Sequence, residues 1–148
     1  MPERAIHAGE IFHLYRAPHG DVAALRGLSF TVHTGETVSL LGPSGSGKST
    51  LLSLCAGFGR PSSGDLEILG RSFARASSSD RSRIRRRSIG IVRQHYHLSL
   101  PRELTIEEIV SLPLRLVGRG DRARVSSLLR AAGLAGRAGA KPDELSGG

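Results

Sequence analysis

An α/β fold organised around a phosphate-binding loop is predicted, on three observations. Gly42-Pro43-Ser44-Gly45-Ser46-Gly47-Lys48-Ser49 spells a complete G-x-x-x-x-G-K-S motif. Its flanks have the order the motif needs: Thr37-Val38-Ser39-Leu40-Leu41 is a short, β-rich apolar run, and Thr50-Leu51-Leu52-Ser53-Leu54-Cys55-Ala56 reads as a helix stopping near Gly57. From about Glu103 onward, apolar residues recur at helical spacing.

Taken in order, residues 1–41 read as β-rich. Leu28-Ser29-Phe30-Thr31-Val32 alternates as a half-buried strand does, before a Thr34-Gly35-Glu36 turn. The nucleotide core follows. Ser77-Ser78-Ser79-Asp80 is a polar stretch that reads as either a loop or a helix start, whose serines can cap a helix rich in arginine, and Gly90-Ile91-Val92-Arg93-Gln94 is an apolar strand ending in glutamine. Further on, Ile106, Ile109 and Val110 fall on one helix face, Pro113 interrupts, and Val125, Leu128, Leu129 and Ala132 form a second stripe ended by Gly133. There is no internal repeat.

The loop carries the chemistry. Glycines at 42, 45 and 47 let the backbone take positive φ and turn its N–H groups inward, forming a nest for anionic phosphate oxygens. Lys48 adds a full positive charge, and the amides that open the following helix add donors and a positive dipole end. The Ser49 hydroxyl is the expected protein ligand of a phosphate-bound Mg²⁺. The ligand class is therefore a nucleoside triphosphate, held by residues 42–50: Gly42, Pro43, Ser44, Gly45, Ser46, Gly47, Lys48, Ser49 and Thr50.

Composition sets the outer bounds. A chain of 148 residues with 39% apolar content suits one globular domain with a core. No window reaches the roughly 20 apolar residues of a membrane helix, and the first residues lack a signal-peptide core, so a cytoplasmic location is expected. A single cysteine, Cys55, precludes an internal disulfide and reads as a small apolar core residue. The formal charge of +8 raises a nucleic-acid alternative, with Arg81, Arg83, Arg85, Arg86 and Arg87 as the densest cluster. No interleaved aromatics accompany them, which favours a solvated basic face. His95 and His97 have no third ligand nearby for a metal site.

With the loop in place, the closing Glu144-Leu145-Ser146-Gly147-Gly148 gains weight, and the chain resembles the nucleotide-binding domain of ATP-binding cassette transporters, whose signature begins Leu-Ser-Gly-Gly. Pro61-Ser62-Ser63-Gly64-Asp65 and the segment from Leu100-Pro101 to Thr105-Ile106-Glu107-Glu108 resemble further family elements, so the likeness covers nearly the whole chain. The pattern is most similar to ATPase subunits of lipoprotein-release and macrolide-export type.

That resemblance implies a P-loop NTPase core with an N-terminal antiparallel β-subdomain and a helical subdomain. It divides the chain at about 1–94, the β-subdomain and core, and about 95–148, the glutamine loop, helical subdomain and start of the signature. It also implies roles: Lys48 and Gln94 as catalytic, with Gln94 approaching Mg²⁺ and the attacking water, and Tyr15 stacking on adenine in competition with Phe12. Val22 would touch the ribose or base edge. Ser146, Gly147 and Gly148 would reach the γ-phosphate of ATP held by a second nucleotide-binding domain. Transmembrane permease subunits are the other implied partners, which places the protein peripherally on the cytoplasmic face of the membrane, and no nucleic acid is expected. The family's catalytic Asp-Glu pair and switch histidine have no counterpart in these residues. Neither Asp65 with Glu67 nor Asp143 with Glu144 follows an apolar strand. The C-terminal part of the core is thus expected to be missing, and this chain alone to bind ATP without hydrolysing it.

Overall fold

The computed structural model describes residues 3–18, 20–92 and 100–145. The chain forms two compact units, Met1–Ile89 and Gly90–Gly148.

The first unit is built on an antiparallel sheet of four strands, β1 (Arg4–Tyr15), β2 (Val22–His33), β3 (Ser63–Ile68) and β4 (Arg71–Ser72), in the order β2-β1-β3-β4. The β1–β2 hairpin is long and interrupted, with register shifts on both sides of His13. Helix α1 (Lys48–Cys55) turns Thr50, Leu51 and Leu54 inward. These join Ala8, Ile11 and Leu25 of the hairpin, Leu66 and Ile68 of β3, and Phe73 and Ile84 in one apolar core. As expected, α1 ends just before Gly57, whose φ of 74° is left-handed. Gly57 is also needed for space, because a Cβ there would lie 2.7 Å from the Phe73 ring.

Helix α2 (Ser78–Ser88) carries the arginine cluster, and a serine does cap it: the Ser77 hydroxyl accepts from the Asp80 amide at 3.1 Å. The same hydroxyl donates to the Asp80 carboxylate, which holds that carboxyl below its ordinary range. The face is only partly solvated. Arg85 donates to the Gly57 carbonyl at 2.8 Å and lies 4.8 Å over the Phe58 ring, Arg81 donates to the Ala76 carbonyl, and Arg83 pairs with Asp80. Arg86 and Arg87 remain exposed.

The second unit centres on α3 (Ile106–Leu116) and α4 (Arg122–Ala131), with Ile106, Val125 and Leu129 as its core. A capping box starts α3: the Glu108 amide donates to Thr105 Oγ1 at 3.3 Å and the Thr105 amide donates to Glu108 Oε2 at 2.8 Å. That amide contact, with the hydroxyl beside it, lowers the Glu108 carboxyl, so its contribution is present above the ordinary carboxylate range and fades as pH falls through the lowered value. Replacing Thr105 with alanine is expected to destabilise this unit by about 1 kcal/mol, read as a lower urea midpoint at unchanged slope.

Four expectations need correction. Residues 37–41 and 90–92 form no strand: Leu41 is 88% and Val92 98% exposed. A buried parallel strand forms only beside parallel neighbours, and every pairing among the described residues is antiparallel. Pro113 does not interrupt α3, which runs through it to Leu116. The ring removes one amide donor, but packing of Ile109, Val110 and Leu114 on the same core holds the helix together. Leu128 and Ala132 point outward instead of completing the α4 stripe, since Val125 and Leu129 alone face the α3 side. Cys55, by contrast, packs against the core as expected, half-buried, and burial pushes its thiol up to about 11.

Candidate nucleotide-binding site

Three glycines shape the loop as the motif requires: φ is 154° at Gly42, 79° at Gly45 and 86° at Gly47. Gly47 is itself the N-cap of α1, and no side chain caps that end. The first amides of α1 are thus left to an outside acceptor, the arrangement that suits a phosphate. The loop also presses onto β2, because a Cβ on Gly47 would stand 2.3 Å from the Ala24 carbonyl oxygen and 3.0 Å from Leu25 Cδ2.

The Lys48 ammonium is folded into the loop, donating to the Gly42 carbonyl at 2.7 Å, the Pro43 carbonyl at 2.5 Å and Ser46 Oγ at 3.3 Å. Those three acceptors hold a full positive charge over the nest. Ser49, the second residue of α1, is exposed, and its hydroxyl makes no side-chain hydrogen bond among the described residues. A lone hydroxyl with this access fits Mg²⁺, which keeps most of its waters and takes one or two protein oxygens beside substrate phosphates. No group of three or more His, Cys, Asp or Glu residues suited to a metal occurs among the described residues.

The hairpin supplies the remaining side chains. Tyr15 and Val22 are direct partners at its loop end, 49% and 57% exposed. Tyr15 Oη lies 3.1 Å from Thr50 Oγ1, which joins this end of the sheet to the first turn of α1. Thr50 is buried, so its hydroxyl needs such a partner. Phe12 instead faces Gly27, where a Cβ would lie 3.2 Å from Phe12 Cζ. Of the two aromatics, then, Tyr15 is the one tied to the loop helix. A cleft of about 420 Å³ lined by Ala23, Ala24, Leu25, Arg26, Leu28, Gly45 and Ser46 runs along the loop.

The site therefore brings together Tyr15, Val22 and residues 42–50. Gln94, His95, Tyr96 and His97 lie outside the described residues, as do Ser146, Gly147 and Gly148. The sequence reading missed two features: the seating of the loop on the Ala24 carbonyl and the ring contact between His13 and Tyr15, centroids 4.9 Å apart at 85°. Only the second had a signal, since residues two apart on a strand share a face.

Comparison with known proteins follows the same lines. The profile of the family described as ABC transporter matches residues 25–148. A lipoprotein-releasing system ATP-binding protein LolD of Xanthomonas campestris is 45% identical over 82% of this chain and 52% of its own length. A LolD of Pseudomonas fluorescens is 40% identical over all of this chain and 66% of its own, and the methionine import ATP-binding protein MetN of Mesorhizobium japonicum 42% identical over 87% and 35%. The chain thus spans about half to two thirds of the LolD relatives it matches. Among solved structures, the ATP-binding cassette MJ0796, a dimer in a post-hydrolysis state bound to ADP and Pi, superimposes with a TM-score of 0.85 at 32% identity, covering 96% of this chain and 63% of that one.

Proposed function

The chain belongs to the ABC transporter family, and we propose that it is an ATP-binding subunit of such a transporter, holding Mg·ATP and coupling its hydrolysis to transport across a membrane. The observation that carries this reading is the junction of loop and helix, where positive-φ glycines lead into an N-terminus that no side chain caps, with the Lys48 ammonium beside it. In the bound state Lys48 exchanges its loop carbonyls for phosphate oxygens, and the loop amides take the rest. Ser49 holds Mg²⁺, which offsets charge on the phosphates. Tyr15 stacks on the base with Val22 at its edge, and Thr50 fixes the Tyr15 hydroxyl.

Gln94 positions Mg²⁺ and the attacking water, and Ser146, Gly147 and Gly148 reach ATP on a second nucleotide-binding domain. Dimer closure then depends on nucleotide, and transmembrane subunits convert the cycle into substrate movement at the cytoplasmic face. Support for the partners comes from the similarity to LolD and MetN proteins and to a dimeric cassette. The described residues contain no helix long and apolar enough to cross a membrane. Gln94→Ala is expected to leave Mg·ATP affinity within about twofold while slowing any Mg²⁺-dependent turnover. A large affinity loss would contradict its assignment.

One observation favours a second reading, nucleotide binding by this chain without turnover. Asp65 and Glu67 are on β3, and β1 lies between that strand and β2, on which the loop rests. The experiment for both is Mg·ATP binding paired with phosphate release on the purified chain. No affinity for ATP removes the main proposal, and release that disappears in Lys48→Ala removes the second.

A further inference from the structure

His13 has no role in the loop chemistry, yet it touches the ring of Tyr15, which is tied to the loop helix. Its imidazole meets the Tyr15 ring edge to face, centroids 4.9 Å apart and planes at 85°. Tyr15 is in turn held at its far end by Thr50, at 3.1 Å. The ring is therefore fixed at two points, while about half of the residue stays open to solvent. Register shifts stand on both sides of His13 in the β1–β2 pairing, and such irregularities re-aim side chains beside functional sites.

The buried nitrogen of His13 does not explain its presence. Nδ1 is buried and has no hydrogen-bond partner among the described residues. A buried, unpaired nitrogen is unfavourable where shape alone is wanted, so an apolar ring would serve packing better. What the imidazole offers is a ring set perpendicular to that of Tyr15, a contact that holds the plane of the tyrosine while half of the residue stays open for a ligand.

We infer that His13 is a positioning residue for the nucleobase: it fixes the orientation of Tyr15 so that one face is presented to the base of a bound nucleotide. The inference rests on the proposed stacking role of Tyr15, and it acts on the base alone. The triphosphate is gripped by residues 42–50, which His13 reaches only indirectly, through Tyr15 and Thr50.

That separation supplies the test. Affinities of the chain for Mg·ATP and for Mg-tripolyphosphate, which has the charge but no base, are compared in four proteins: parent, His13→Ala, His13→Phe and Tyr15→Ala. His13→Ala is expected to weaken ATP about three- to tenfold, the size of an edge-on ring contact, with tripolyphosphate unchanged. His13→Phe, which keeps the ring and removes the unpaired nitrogen, is expected to restore ATP affinity and to raise the thermal midpoint. Tyr15→Ala should lose ATP affinity at least as strongly. Equal loss of both ligands in His13→Ala would mean a general structural role and overturn the inference. Unchanged ATP affinity in His13→Ala beside a loss in Tyr15→Ala would also overturn it while leaving Tyr15 stacking intact, whereas ATP affinity unchanged in Tyr15→Ala would sink the stacking reading itself.

Discussion

Lys48→Ala is expected to reduce Mg·ATP affinity about a hundredfold, to below what calorimetry detects at micromolar protein. The ammonium is the only full positive charge in the loop sequence, and it is already concentrated there by the Gly42 and Pro43 carbonyls and Ser46 Oγ. Hydrogen bonds to charged partners contribute about 1.5–3 kcal/mol each, so the loss of one or two to phosphate spans about one to four decades of affinity. The amide nest and the α1 N-terminus survive the substitution and retain weak phosphate binding. The same variant loses three bonds that brace the loop, so its thermal midpoint must be measured as well. Folded protein with lost affinity supports the proposed role, and parent-like affinity would overturn the central claim.

The parts of the site legible in the sequence are those set by neighbours in the chain. Positive φ at Gly42, Gly45 and Gly47 follows from residue type, and so does the helix that Lys48 opens. The caps at Ser77 and Thr105 are equally local, each a hydroxyl reaching an amide three residues on. Residues 37–41 were not legible as they stand, because an apolar run becomes a parallel strand only when neighbours arrive to pair with it. Leu128 shows the same limit on a helix: periodicity proposes a stripe, but the width of the facing surface decides which members are covered. The link from Tyr15 to Thr50 joins residues 35 apart, and only the packing of α1 against the hairpin brings them together. Cys55 was read correctly as packing material, since desolvation raises its thiol and keeps it protonated.

Gly47→Ala is expected to be the most damaging single-methyl change in the phosphate-binding loop. Two separate costs add. The left-handed backbone at φ 86° costs a residue with a side chain about 1–2 kcal/mol. The new Cβ would then stand 2.3 Å from the Ala24 carbonyl oxygen, a backbone atom that cannot rotate away. Relief requires the loop to lift from β2 or β2 to shift, and the second disturbs Leu25 in the core. Either movement forfeits packing, bringing the total to about 3–5 kcal/mol. Gly45 isolates the first cost, since its φ of 79° is also left-handed but an added Cβ meets nothing within 4 Å. Gly45→Ala should therefore lose only about 1–2 kcal/mol and keep a weakened affinity for Mg·ATP. Urea denaturation of the two variants beside the parent, with nucleotide titrations on each, separates backbone strain from close approach. A larger stability loss at Gly47, accompanied by loss of ATP binding, means that the loop is shaped by its seat on β2 as well as by its own glycines. Equal losses at the two positions would mean that the loop folds without that support, and the Ala24 contact would then have no part in building the site.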